Sequence, residues 1–211
     1  MFRTDFHIPT RPNGKQVAYF CGNSLGLQPK KAAEFIQQEL LDWQNLAVEG
    51  HVRAKRAWTP YHENFTHSLA KIVGALDSEV VVMNTLTVNL HLLLVSFYRP
   101  TAQRYKIVIE KGAFPSDRYA MTSHLQYRGY NPDDALIEIA PRTGEHLIRQ
   151  EDILELINKQ GEEIAVFLMA GINYYTGQLF DMQTITAAAQ QKGICVGWDL
   201  AHAAGDRKSV V

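Results

Sequence analysis

Three short segments carry residue types that could work together on one ligand. The first is Trp198-Asp199-Leu200-Ala201-His202, where a carboxylate ends a β-branched run and a histidine follows after two residues. At the carboxyl end of a buried parallel strand such a pair faces the crevice where open α/β sheets bind ligands. The plainer reading is a turn or capping aspartate and a packing histidine. The second is Asn84-Thr85-Leu86-Thr87-Val88-Asn89, which opens an apolar helix. Free backbone N–H groups and hydroxyls at a helix N-terminus suit an anion, commonly a phosphate, although a threonine cap needs no ligand. The third is Lys111-Gly112-Ala113-Phe114-Pro115-Ser116-Asp117. Phe114 there is either a platform for a flat heteroaromatic ring or a core residue held by a proline turn.

Each segment follows a β-branched run, which would place all three on one edge of a sheet. An anion cradle, a stacking face and an acid together match pyridoxal 5'-phosphate (PLP). That cofactor needs its phosphate held, its ring stacked and its pyridine nitrogen kept protonated. A pyridinium beside Asp199 would form a charge-assisted pair, stronger than a neutral hydrogen bond.

The elements that must position these segments are legible from periodicity. Residues 1 to about 30 form an irregular arm broken by Pro9, Pro12, Gly14, Gly22, Gly26 and Pro29. Helical spacing runs over 31–47 and 61–73, with Gly74 placed to end the second helix. Beyond it, strands are expected at 80–83, 105–109, 136–139, 164–168 and 194–198. Helices are expected near 88–97 and 118–128, around Ile153 to Ile157, and around Ile185 to Ala189. Alternation of this kind predicts an α/β fold with a mainly parallel sheet flanked by helices.

Bulk composition excludes several partners. Of 211 residues, 46% are hydrophobic and 20% charged, with 21 basic against 22 acidic side chains. That balance favours neither nucleic acid nor a membrane surface. Cys21 and Cys195 form no metal spacing and no disulfide framework, which fits a reducing, cytoplasmic setting. The first residues contain no apolar run of signal-peptide length.

Taken together, the motifs resemble the kynureninases from about Ala18 to Gly205. The matching runs are Tyr19 to Pro29, Asn84 to Leu93, Ala113 to Asp117, Tyr174-Tyr175-Thr176-Gly177-Gln178 and Asp199 to His202. The resemblance implies a partial fold type I PLP-dependent transferase fold with an N-terminal helical arm, PLP as cofactor, and a homodimer for the full-length protein. The implied reaction hydrolyses kynurenine or 3-hydroxykynurenine to anthranilate or 3-hydroxyanthranilate plus L-alanine, in tryptophan degradation and NAD biosynthesis. It assigns Leu86 and Thr87 to the phosphate, and Phe114, Pro115, Ser116, Asp117, Asp199 and His202 to the rest of the cofactor. Ser24 and His51 fall on substrate-binding positions.

The pattern departs from the family at Ala170, where a cofactor-contacting serine is common. The family's cofactor-bearing lysine would lie beyond residue 211, so the chain alone is expected to be inactive. Lys208 lacks the serine-tyrosine-lysine context and sits in a tail, 206–211, that does not continue the pattern. The expected domains are a helical arm over 1–73 and an incomplete cofactor domain over 74–205. The alternatives are another fold type I enzyme, such as a cysteine desulfurase, and a non-catalytic truncated paralogue.

Overall fold

A computed structural model describes residues 2–22 and 24–205; the tail with Lys208 lies outside them. The chain divides into two compact units, Met1–His67 and Ser68–Val211. The division falls inside a helix, Glu63–Val73.

The first unit begins with the expected arm, which is tied by isolated bridges between Phe6 and Pro29 and between Thr10 and Gln16. Helix α1 (Ala32–Leu46) and the short α2 (Gly50–Arg53) follow. Glu39 on α1 organises this unit. Its carboxylate accepts from Trp58 Nε1 at 3.0 Å and pairs with Arg56 at 3.2 Å. The Arg56 guanidinium lies 4.7 Å from the centre of the Phe35 ring. The Trp58 indole lies flat against Gly50, where a Cβ would come within 2.3 Å of it. Only glycine fits there.

In the second unit the end of α3 (Glu63–Val73) precedes α4 (Leu86–Phe97). Then come β1 (Lys106–Glu110), α5 (Pro115–Tyr127), α6 (Pro132–Ala135), β2 (Leu136–Ile139), α7 (Gln150–Gln160), β3 (Ile164–Ala170), α8 (Met182–Gln191) and β4 (Cys195–Asp199). The strands form one sheet in the order β2-β1-β3-β4, and all its pairs are parallel.

Alternate residues of each strand point to opposite faces, and the core accordingly divides in two. Ile107, Ile109, Val166 and Leu168 pack with Leu90 and Leu94 of α4 and Met121 and Leu125 of α5. Val108, Phe167 and Met169 pack with Ile153 and Ile157 of α7 and Ile185 and Ala189 of α8. Helix α5 therefore covers one face and α8 the other. The strands that feed them, β1 and β3, are neighbours, so the connections diverge between them. That is the topological switch point of an open sheet, where a crevice opens at the carboxyl ends.

The 80–83 run is not a strand. Val80 has extended dihedrals, but Val81, Val82 and Met83 are exposed and join no ladder. A β-branched run becomes a strand only where a neighbour offers it hydrogen bonds, and among the described residues none does. No helix of the described residues is long and apolar enough to cross a membrane.

Candidate functional site

Glu110 closes β1, and Gly112 (φ +77°) makes the turn that its side-chain-free backbone allows. That turn delivers Phe114 as the residue before α5, with Pro115 at the first helical position, where its missing N–H costs nothing. Phe114 is 45% exposed, so it is not a core residue. Its ring stands edge-on to Tyr174, with centroids 5.2 Å apart. Tyr174 in turn lies 6.2 Å from the half-buried ring of His202. Tyr174 is presented by a turn built on buried Asn173, whose Oδ1 accepts from the N–H groups of Tyr175 and Thr176, each at 3.0 Å.

The first turn of α5 also carries Ser116 and Asp117. The Ser116 hydroxyl donates to Asp117 Oδ1 at 3.1 Å. The Asp117 carboxyl is buried and lies within hydrogen-bonding reach of the Asp199 carboxyl at the end of β4. Burial, then the hydrogen bond to Asp199 and its charge, push the Asp117 carboxyl up to about 7. Two carboxyls this close cannot both ionise cheaply. Asp199 is fixed by two further bonds. Its Oδ1 accepts from Ala201 N–H at 2.8 Å, and its carbonyl accepts from Gly171 N–H at 2.8 Å.

A third carboxyl completes the group. Glu110 is almost fully buried and accepts from the Ala170 N–H, 3.3 Å from each oxygen. Burial raises its pKa, and the charge of Asp199 raises it further. Among the described residues no ion pair reaches Glu110, Asp117 or Asp199. Three pooled acids without a basic partner make a site that favours a cation. No group of acids, histidines or cysteines among the described residues could hold a metal ion. The chemistry of this donor set therefore fits a protonated ring nitrogen.

Asp199 also ends a cavity of about 530 Å³ whose opposite wall is α4, including Leu86 and Asn89. Thr85, not Thr87, caps α4, with its hydroxyl accepting from Val88 N–H at 3.5 Å. The Asn89 N–H goes to the Thr85 carbonyl at 3.0 Å. Among the described residues, no hydrogen-bond acceptor reaches the N–H groups of Leu86 and Thr87 in the first turn. Asn84 adopts a positive φ of 49°, and Asn89 Nδ2 holds the Met83 carbonyl at 2.7 Å, shaping the entry to the helix.

A family model for aminotransferase class-V matches residues 18–211. The chain belongs to that family. Among known members, the class-V chain is 57% identical over 205 residues to kynureninase of Christiangramia forsetii, covering 97% of this chain and 48% of the relative. It is 55% identical over 205 residues to kynureninase of Myxococcus xanthus, with the same shares covered. Against kynureninase of the animal Nematostella vectensis it is 54% identical over 188 residues, covering 89% and 40%. The chain thus spans about half the length of the curated relatives it matches.

Two solved structures extend the likeness to the fold. A mutant of C-DES with glycine covalently linked to its PLP cofactor superposes with a TM-score of 0.75 at 15% identity, over 96% of this chain and 50% of that one. The cysteine desulfurase of Thermococcus onnurineus NA1 gives 0.67 at 17% identity, over 93% and 46%. At such identities the fold alone is shared. The class-V chain therefore carries a partial fold type I sheet, as its sequence leads one to expect.

Of the residues singled out by sequence, the structure brings Asp117 to Asp199, Phe114 to Tyr174, and Tyr174 to His202. Leu86 shares a cavity with Asp199, and Thr87 is its neighbour on α4. Ser24 and His51 lie in the first unit. Ser24 N–H donates to the Cys21 carbonyl at 3.0 Å, and the exposed His51 ring packs edge-on against Trp58 at 5.5 Å. Cys21 is exposed and Cys195 half-buried, and both are free thiols. Sequence reasoning passed over Glu110, and it quoted Tyr174 within a matching run without giving it a role at the site. The available signal for Glu110 was a lone carboxylate closing the otherwise apolar run Ile107-Val108-Ile109.

Proposed function

We propose that the protein binds PLP and serves the hydrolysis of kynurenine or 3-hydroxykynurenine to anthranilate or 3-hydroxyanthranilate plus L-alanine. The observation that carries this reading is the pairing of buried Asp117 with half-buried Asp199 at the carboxyl edge of the sheet, where no cationic partner reaches them among the described residues. The likeness to kynureninases over nearly the whole chain supports the choice of substrate.

When bound, the cofactor supplies a protonated pyridine ring that draws off negative charge developing on the substrate. The residues present here would hold and tune it. The carboxylate of Asp199 keeps a proton on the ring nitrogen. Asp117, braced by Ser116, holds Asp199 in place and shares its charge. Phe114, with Pro115 fixing its approach, offers a ring face, and Tyr174 packs on its edge. His202 lines the same side. The Leu86 and Thr87 N–H groups, at the positive end of α4, take the phosphate. Ser24 and His51 are assigned to the substrate. Ala170 offers no hydroxyl, and its N–H is committed to Glu110.

The same reading places the full-length protein in the cytoplasm as a homodimer. A desulfurase reading rests on fold likeness alone, at 15–17% identity, and leaves the identity to kynureninases unexplained.

The test is a PLP titration followed by absorbance, with and without Asp199→Asn, and then a 3-hydroxykynurenine hydrolysis assay on the full-length gene product. Saturable binding that the variant weakens supports the cofactor site. Hydrolysis that yields a fluorescent anthranilate supports the substrate. A gene product that binds PLP and releases sulfur from cysteine but leaves kynurenines intact refutes the substrate assignment.

A further inference from the structure

Glu110 has no role in the reading above, yet its position is costly. A buried ionisable group loses its hydration and must be partnered or neutralised. The strand pairing shows where it sits. Strand β1 stays registered with β2 through Glu110 and Ile139, and β3 stays registered with β4 through Ala170 and Asp199. Between β1 and β3, however, pairing stops at Val108 and Phe167. The two central strands part at their carboxyl ends while each keeps its outer neighbour. The Glu110 carboxyl fills that parting at the switch point and takes the Ala170 N–H that the ladder has left free.

The groups around it are all of one sign. Strand β4 contributes Asp199, and α5 contributes Asp117, which in turn feels the charge of Glu110. Strand β3 contributes only the Ala170 N–H, and β2 the apolar Ile139. A neutral glutamine or a serine could have accepted from Ala170 as well. A third acid differs from those in one respect: when ionised, it adds negative charge behind the pair, although burial disfavours that ionisation.

We propose that Glu110 is a positioning residue that sets the charge shared by Asp117 and Asp199, so that the pair retains one proton until a cationic ring nitrogen arrives. The inference rests on the PLP reading for the identity of that cation. It goes beyond that reading by naming the residue that biases the site toward a charged ring over a neutral one. Glu110 acts through the other two carboxyls and touches no ligand itself.

The experiment uses the full chain labelled with ¹³C at aspartate carboxyls, without cofactor, titrated by NMR from pH 4 to 9. The Asp117 resonance is assigned by its loss in Asp117→Asn. In Glu110→Gln, whose amide oxygen can still accept from Ala170, the Asp117 midpoint should fall by roughly half a pH unit. An unmoved midpoint in the folded variant shows that Glu110 is only an acceptor for Ala170 and overturns the proposal. If Glu110→Gln does not fold, Glu110→Asp keeps the charge while disturbing the Ala170 bond. A midpoint near that of the wild type then supports the proposal, and a lowered one overturns it. A PLP titration of the same samples separates the two ideas. No PLP binding by the wild type sinks the cofactor reading, whereas normal binding with an unmoved midpoint sinks only the role of Glu110.

Discussion

The buried Asp117, from the first turn of α5, meets the half-buried Asp199, from the end of β4, carboxyl to carboxyl. Neither acid is in an ion pair among the described residues, and the proposed partner is the protonated ring nitrogen of PLP. Replacing Asp199 by Asn keeps the shape and removes the charge. A hydrogen bond to a charged group contributes about 1.5–3 kcal/mol, so PLP affinity should fall roughly 10- to 100-fold. An absorbance titration of both proteins checks this, and equal affinity would remove Asp199 from the site.

The raised Asp117 carboxyl makes the cofactor-free protein sensitive to pH. Its ordinary value is 3.8 and its folded value about 7, because burial and Asp199 disfavour its charge. The folded state therefore holds a proton that the unfolded chain gives up. The stabilisation is full below the ordinary value and is lost as pH rises through the folded one. Between about pH 4 and 7 the wild type should lose stability from this group, on the order of 2 kcal/mol. Asp117→Asn should flatten that part of the profile. Urea unfolding at pH 5 and pH 8 measures the difference, and parallel losses in both proteins would contradict it.

Phe114 contributes little to the core, since its ring is half exposed and touches Tyr174 by an edge. Phe114→Ala should therefore cost less than about 1 kcal/mol in unfolding, as surface changes do. Losing an aromatic stacking partner should still weaken PLP binding by about tenfold. The combination separates a ligand platform from a packing residue. A large stability loss with unchanged affinity would reverse the assignment.

The parts of this fold that were legible in the sequence are those governed by local rules. Helix spacing and β-branched runs located four of the five expected strands, because alternate strand residues must meet two helical layers. The placement of Asp199 at a strand end and of Phe114 just after one could be read because both lie where strands hand over to loops at the crevice. What failed depends on partners far along the chain. The 80–83 run has strand chemistry but no neighbour to pair with. Thr85 and Thr87 are both plausible caps by type, and only the helix start decides between them. Glu110 looks like the first solvated residue after a strand until the parting of β1 from β3 shows that it is enclosed. The strand order β2-β1-β3-β4, and with it the switch point, is fixed by crossovers that periodicity does not encode.

In the first unit, Gly50 is set by the Trp58 ring, which occupies the place a Cβ would need. Gly50→Ala forces that ring to move, and with it the Trp58–Glu39 hydrogen bond. Overpacking of this kind costs typically 1–3 kcal/mol. The expected result is faster hydrogen exchange in α1 and α2, with the strands of the second unit unchanged. Uniformly faster exchange across both units would show that the two do not unfold separately.

Arg104 ties three backbone carbonyls together behind the sheet. Its Nη1 donates to the carbonyls of Gly161 and Ile164 at 3.1 and 2.9 Å, and its Nη2 to the carbonyl of Lys192 at 3.0 Å. These carbonyls belong to the turn before β3, its first residue, and the turn before β4. One guanidinium thus fixes the entry of two parallel strands whose far ends carry Ala170 and Asp199. Its fourth partner, Glu162, is largely solvated and adds little. Arg104→Ala leaves three carbonyls to find water and should cost about 3 kcal/mol in urea unfolding. Lysine, a single point donor, cannot serve all three carbonyls at once, so Arg104→Lys should recover less than half of that loss. Full recovery would mean that charge, not the fork geometry, holds the strand entries together.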